Sequence, residues 1–161
     1  MIYAHYRTNG SLLDLPIEEY LKRVTNPKTP IYIVGKFPPT NETLVAGDIW
    51  LYRGKHTWKF GLDHIWEGRK LELKKRGVYT VKELVNFLIL LINKRTPIYP
   101  EPKHTKAAII KSSKGAVIVE NIADDYSAVT LLLATPASPL PVQRRWGNKP
   151  LNTIKTDCKI I

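Results

Sequence analysis

The chain is poor in the residues on which several common kinds of chemistry depend. It has one cysteine, Cys158, so neither an internal disulfide nor a zinc site of several cysteines is available. Its four histidines are scattered, without the spacing of a zinc-binding helix, and we expect no metal and no cofactor. A metal site assembled from distant residues is the less favoured alternative. The chain also lacks a glycine-rich phosphate loop, a dinucleotide-binding motif and a Gly-x-Ser-x-Gly nucleophile elbow.

Long hydrophobic runs are also missing. The longest, Phe87 to Ile92, is far shorter than the stretch of about 20 apolar residues that spans a bilayer. The first residues, 1–5, do not combine a basic segment with an apolar one, as a secretory signal would. We therefore expect no transmembrane segment, no signal peptide and no membrane partner.

Positive charge is what the chain has in excess. It carries 25 Lys and Arg against 14 Asp and Glu, for a net charge of +11. Such a balance favours an anionic partner, namely nucleic acid, an acidic protein or an anionic membrane surface. The alternative is a solvated basic surface that aids solubility.

Hydrophobic patterning in the first half alternates between helices and strands. Residues 15–24 predict a short helix, with acidic residues early and basic residues late. Residues 31–34 and 49–52 predict strands, and Thr57 to Phe60 is a candidate third strand. A helix is expected over 62–75, with Asp63 as its N-cap. Three tryptophans in this half are expected in the core: Trp50, Trp58 and Trp66.

The second half begins with the strongest local signal in the chain. Thr80 and Glu83 fit a capping box, and apolar residues then recur at helical spacing up to Ile92. Strands are expected at 107–110, 116–122 and 128–135, joined by turns into an antiparallel meander. The fold class is therefore predicted to be α+β, with N-terminal helices packed on a C-terminal antiparallel β-sheet.

Several polar residues form a candidate site for metal-free RNA cleavage. In that reaction the 2′-hydroxyl attacks the adjacent phosphorus, so the protein must move protons and stabilise negative charge. His64 suits the proton transfers because the pKa of histidine lies near neutrality. Arg69 suits the charge, and Thr135 suits a hydrogen bond if the sheet folds back. Simple helix capping or packing explains His64 equally well, and Thr135 is open to the reading that it only ends a strand.

Other basic residues are candidates for binding the substrate. Lys55 follows the 49–52 strand, and Lys70 belongs to a run of basic residues that is also typical of a solvated helix face. Arg144, Arg145 and Trp146 lie in a Pro-rich basic segment, where cations grip phosphates and an aromatic ring stacks on a base. Trp146 serves equally well as an anchor that ties this segment to the domain.

Two motifs together resemble a nuclease family. Gly47-Asp48-Ile49-x-Leu51 is followed by Phe60-Gly61-Leu62-x-His64-Ile65, then by a basic helix, a second helix and the strand that ends at Thr135. This order resembles the barnase/EndoU/colicin E5-D/RelE-like (BECR) nucleases. The likeness is greatest to the barnase/colicin E5 family endoribonuclease domains of phage proteins and polymorphic toxins. It covers roughly residues 46–136. Such domains commonly carry a second histidine soon after the first; here residues 65–70 have none, and Arg69 is the best substitute.

The resemblance implies a BECR-like fold and a metal-independent endoribonuclease, with a toxin that acts on tRNA or mRNA as one form of it. Catalysis would fall to His64 as general acid or base, Arg69 as a phosphate-binding cation and Thr135 as a hydrogen-bond donor. The chain would divide into an N-terminal extension (1–45), a nuclease domain (46–136) and a basic Pro-rich tail (137–161). Expected partners are RNA and an acidic immunity or antitoxin protein. The expected site of action is cytoplasmic, with secretion as part of a larger toxin left open.

Two further hypotheses compete with an enzyme. One is a non-catalytic basic module that binds nucleic acid, which predicts salt-dependent binding without cleavage. The other is a protein-interaction domain whose basic face docks an acidic partner. Incubation with RNA separates both from a nuclease.

Overall fold

Seven strands form one sheet in the computed structural model, which describes residues 10–134 and 149–161. In chain order they are β1 (Pro30–Phe37), β2 (Gly47–Tyr52), β3 (Pro97–Pro100), β4 (Ala107–Lys111), β5 (Gly115–Ile122), β6 (Asp125–Leu133) and β7 (Asn152–Thr153). Their order across the sheet is β1-β2-β6-β5-β4-β3-β7. The predicted strand at 57–60 is absent, whereas residues 128–133 of the predicted strand 128–135 belong to β6.

The sheet is mixed, and the predicted C-terminal antiparallel sheet forms one part of it. Strands β4, β5 and β6 form the expected antiparallel meander. Strand β2, however, runs parallel to β6, with Ile49 opposite Tyr126 and Trp50 opposite Ser127. This pairing joins segments that are more than 70 residues apart in the chain, and a parallel pair of this kind needs a long crossover connection.

Three α-helices accompany the sheet in the described part of the chain. They are α1 (Ile17–Arg23), α2 (Gly61–Lys75) and α3 (Val81–Leu91). The fold class is α+β, as predicted. The order of helices before sheet holds only in part, because β1 and β2 precede α2 and α3. Helix α2 packs on β6 and β2, while α3 packs mainly on β1.

The start of α3 confirms the predicted capping box. The hydroxyl of Thr80 accepts a hydrogen bond from the backbone N–H of Glu83 at 3.1 Å. The Glu83 carboxylate accepts one in return from the N–H of Thr80 at 2.9 Å. Two of the N–H groups at this helix start are thus satisfied, which fixes where α3 begins.

The core lies between the helices and the sheet. Trp66 is buried there and Trp50 is also buried, as predicted, but Trp58 is 57% exposed, so its assignment to the core is wrong. The two edges of the sheet approach each other, because the side-chain amide of Asn152 in β7 donates to the carbonyl of Pro39 just after β1. The described helices include none with the length and apolar character needed to span a bilayer.

Strand β1 lies within residues 1–45, the predicted N-terminal extension, yet pairs with β2 along its length. The proposed domain boundaries remain a prediction. Of residues 137–161, the structure describes only 149–161, which include β7 and the buried Ile154.

Candidate active site

A tight loop between two glycines connects β2 to α2. Gly54 and Gly61 have positive φ angles of 69° and 79°, and their Cα atoms lie so close that a Cβ on Gly61 would sit 2.6 Å from Gly54 Cα. A Cβ on Gly54 would collide with the carbonyl oxygen of Phe60. Only glycine fits both positions. The loop closes where the N–H of Lys55 donates to the carbonyl of Phe60 at 3.1 Å.

The chain inside this loop forms a 3-10 helix over His56–Trp58, where the sequence predicted a third strand. The prediction is wrong because the two glycines bring residues 55 and 60 together, which leaves no room for extended backbone between them. Lys59 completes the reversal in the left-handed conformation, with φ of 58°. Consequently His56 faces the first turn of α2.

Two histidine rings meet across this loop. The Nδ1 atoms of His56 and His64 are 3.2 Å apart, and the rings stack with their centroids 5.2 Å apart at an angle of 25°. His64 lies in the first turn of α2, and His56 opens the 3-10 helix. In the part of the chain that the structure describes, no hydrogen bond occupies Nε2 of either ring. The pair therefore has two nitrogen atoms free for proton transfer.

Asp63 fixes His56 in place. Its Oδ2 accepts a hydrogen bond from the backbone N–H of His56 at 2.8 Å and lies 3.5 Å from Nη1 of Arg53. The predicted role of Asp63 as N-cap is wrong: Phe60 is at the N-cap position, without a side-chain cap, and Asp63 belongs to the first turn of α2. An acidic residue there also complements the helix dipole.

Arg53 ties this turn to the body of the protein. Its Nε donates to the carbonyl of Val24 and its Nη2 to that of Leu21, both at 2.8 Å, so it binds the C-terminal end of α1. Because its side chain is only 13% exposed, the guanidinium is shielded from water. One largely shielded cation thus holds α1, the Gly54 turn and Asp63 together.

The surroundings of His64 favour its neutral form. Burial lowers the pKa of His64 below its ordinary value of 6.5, because desolvation penalises the charged ring. Repulsion from His56, when that ring is protonated, and from Lys59 and Arg69 lowers the pKa of His64 further, while Asp63 opposes this effect. At pH 7 His64 is therefore mostly an unprotonated imidazole that can accept a proton.

The hydrogen bond between the Nδ1 atoms gives the two rings complementary roles. In a neutral pair, the ring that donates from Nδ1 has an unprotonated Nε2, and the ring that accepts at Nδ1 carries its proton on Nε2. One ring then presents a base and the other an acid. A paired base and acid is the minimum that phosphodiester transesterification requires.

The other predicted catalytic residues are only partly brought together. Arg69 lies on α2 one turn beyond His64, near enough for its charge to act on that ring. Its Nε donates to the carbonyl of Leu131 in β6 at 2.9 Å, and its Nη1 lies 3.8 Å from Glu72. Arg69 therefore binds the end of β6 as well as contributing charge. Thr135 lies outside the described residues, four positions after Leu131.

The predicted substrate-binding residues are separated on the surface. Lys55 places its ammonium 4.9 Å from the ring centroid of Trp58, in a cation–π contact. Lys70 lies 3.8 Å from Glu67 on the exposed face of α2. Arg144, Arg145 and Trp146 lie outside the described residues.

His56 is the residue that sequence reasoning missed. The second histidine was sought after His64, whereas the structure provides it eight positions earlier, across the loop. The signal in the sequence was the pair Gly54 and Gly61, which together with Lys59 can reverse the chain and return it to its starting point. Among the described residues, no three His, Cys, Asp or Glu side chains are grouped as a metal site would need.

No protein-family model, curated protein or solved structure matches the chain. The resemblance to the BECR nucleases accordingly remains a prediction, and the functional argument depends on the geometry of the loop and α2.

Proposed function

We propose that this protein is a metal-independent endoribonuclease in which His56 and His64 are the catalytic pair. The observation that supports this most directly is the 3.2 Å contact between their Nδ1 atoms, with Lys59 and Arg69 near enough to act electrostatically on His64. Histidine provides proton transfer near neutral pH, and the cations provide attraction for a phosphodiester.

The proton steps follow from the hydrogen-bonded pair. The 2′-hydroxyl of the substrate attacks phosphorus while its proton passes to the free Nε2 of one ring, assigned to His64 because its neutral form is favoured. That ring passes its Nδ1 proton to Nδ1 of His56, and His56 gives its Nε2 proton to the 5′-oxygen. The bond from phosphorus to that oxygen breaks. The products are a 2′,3′-cyclic phosphate and a free 5′-hydroxyl, and both rings end neutral with their tautomers exchanged.

Charge stabilisation in the transition state is assigned to the cations beside the pair. Lys59 and Arg69 act on His64 through their charge, so they also act on a phosphate bound against it. Thr135 remains the predicted hydrogen-bond donor. The basic segment with Arg144, Arg145 and Trp146 remains a predicted RNA-binding segment. A cytoplasmic site of action, on tRNA or mRNA, belongs to the same proposal.

The decisive experiment is incubation of the purified protein with total RNA in excess EDTA. We expect cleavage to products ending in 2′,3′-cyclic phosphate, and loss of cleavage in His56→Ala and in His64→Ala. His104→Ala is the matched control, because His104 lies in the turn between β3 and β4 and takes no part in the pair. Intact RNA with wild-type protein, or equal cleavage by His64→Ala, would refute the proposal.

A nucleic-acid-binding module without catalysis is the second candidate. It is favoured by Trp58, an exposed tryptophan with a lysine above its ring, because this arrangement suits stacking and phosphate contact without any chemistry. It predicts salt-dependent RNA binding and no cleavage in the same assay. An acidic protein that co-purifies and blocks RNA binding would instead favour a docking domain, or a toxin held by its immunity protein.

A further inference from the structure

An open groove of about 480 Å³ lies beside the histidine loop and has no role in the chemistry described above. Its lining consists of three aromatic side chains, one aliphatic and one cation: Tyr52, Trp58, Phe60, Ile122 and Lys28. The volume is within the range of about 300–1,000 Å³ that small-molecule sites occupy. The groove is therefore large enough for a planar ring with its substituents.

Most of the lining is apolar, and much of this apolar surface is exposed to solvent. Trp58 and Ile122 are more than half exposed, at 57% and 52%. The rings of Trp58 and Phe60 lie nearly parallel, at 10°, with centroids 6.5 Å apart. Exposed aromatic rings held in a concave surface are typical of a binding site rather than of packing.

The charges around the groove specify the kind of ligand. Lys28 lines it, and Lys55 lies over the ring of Trp58. Burial, and the nearby charge of Asp125, raise the pKa of Tyr52, so its hydroxyl stays protonated and can donate a hydrogen bond. An apolar aromatic floor with cations at its rim is complementary to a flat ring that carries phosphates.

We propose that this groove is a nucleobase subsite, in which one base of single-stranded RNA stacks on Trp58 while Lys28 and Lys55 bind the flanking phosphates. The proposal rests on the proposed function and adds the form of its substrate: a single strand with an unpaired base beside the scissile bond. Double-stranded RNA is excluded because its bases are already stacked on one another.

The position of the groove relative to the histidines supports this assignment. Trp58 belongs to the same 3-10 helix as His56, and Phe60 directly precedes α2, which carries His64. A base in the groove is therefore held by the same short loop that holds the catalytic pair. Its adjoining phosphodiester would then lie next to the loop that carries His56.

Binding of a probe that cannot be cleaved tests the subsite directly. The probe is a fluorescently labelled RNA tetranucleotide with 2′-O-methyl riboses, which lack the attacking hydroxyl, and its affinity is measured by anisotropy. We expect Trp58→Ala to weaken binding about tenfold or more, because one stacked base contributes that much affinity. An abasic probe with the same phosphates should bind wild type and Trp58→Ala alike.

Two further variants separate stacking from general effects. Trp58→Phe keeps an aromatic face and should restore most of the binding. Tyr79→Ala is the matched control, since Tyr79 is also half exposed, at 51%, but lies beyond the opposite end of α2. Circular dichroism of each variant establishes that it is folded.

The outcomes distinguish this proposal from the ribonuclease proposal. If Trp58→Ala binds the tetranucleotide as tightly as wild type, or if the abasic probe loses the same affinity, the subsite is refuted whatever the cleavage assay shows. If Trp58-dependent binding is found but RNA stays intact with wild-type protein, the subsite stands and the ribonuclease proposal fails.

Discussion

At the scale of single residues, the contact between His56 and His64 is the feature on which the proposed activity depends. Both histidines were visible in the sequence, and His64 was predicted as the catalytic residue. Its partner was not, because residues 57–60 were predicted to form a strand, and extended backbone would hold His56 away from His64. The contact exists because the chain reverses between them. A side-chain pair made by a loop reversal is visible in a sequence only if the reversal itself is recognised.

The pair predicts a particular dependence of cleavage on pH. The relay needs both rings neutral, and the pKa of His64 is lowered, so the neutral form persists to a pH below its ordinary value of 6.5. The rate of cleavage should be level at and above neutrality and should fall as the pH drops and the pair of rings takes up a proton. The measurement is kcat/KM on a short RNA between about pH 5 and pH 8.

A bell-shaped profile with its maximum on the acid side would contradict the relay, because it would mean that one ring must be positively charged. The unfolded chain binds the proton at His64 more readily than the folded one, so acid also lowers the free energy of unfolding. Circular dichroism is therefore measured at each pH. It separates a rate that falls because the histidine pair is protonated from a rate that falls because the protein unfolds.

At the scale of secondary-structure elements, the sequence is most informative where local chemistry is complete. The capping box at Thr80 and Glu83 predicted where α3 begins, since both of its hydrogen bonds lie within four residues. The meander of β4, β5 and β6 was predicted for a similar reason, because tight turns connect neighbouring strands. Strand β3 was missed because it has four residues, two of them proline.

The loop between Gly54 and Gly61 provides a test at this scale. Gly54→Ala places a Cβ against the backbone of Phe60 at a positive φ, so the turn cannot form unchanged. We expect a loss of more than about 1 kcal/mol in the free energy of unfolding, together with loss of cleavage. Urea denaturation and the RNA assay measure the two effects.

Gly68→Ala is the matched control for that variant. Gly68 lies within α2, and a Cβ there meets no atom within 4 Å. Alanine should therefore stabilise the helix by about 0.5–1 kcal/mol and leave cleavage unchanged. If Gly54→Ala behaved like Gly68→Ala, the close approach of Gly54 to Phe60 would have no structural importance.

At the scale of the whole molecule, the sequence predicted the fold class better than the topology. The α+β class followed from the order of helical and strand patterns. The parallel pairing of β2 with β6 did not follow, because it joins distant segments and leaves no trace in local periodicity. Strand β7 has only two residues and forms by pairing with β3, so it is too short to show an alternating hydrophobic pattern in the sequence.

The net charge of +11 gives a prediction for RNA binding. Affinity for the 2′-O-methyl tetranucleotide should fall with salt, and the Lys55→Ala/Lys59→Ala variant should reduce the slope of log affinity against log salt by about one to two. Lys103→Ala/Lys106→Ala is the control pair, exposed between β3 and β4. Equal reductions in both variants would mean that charge acts diffusely over the surface rather than at the histidine loop.

The central claim is that His56 and His64 act together to cleave RNA without a metal. The most direct measurement is the cleavage rate of one RNA in EDTA by wild type, His56→Ala, His64→Ala and the double variant. The account predicts a loss of about 10²–10⁴-fold in each single variant, and a double variant no slower than either, because the relay works as a unit. Wild-type protein that leaves the RNA intact, or a His56→Ala variant that cleaves at the wild-type rate, would contradict it.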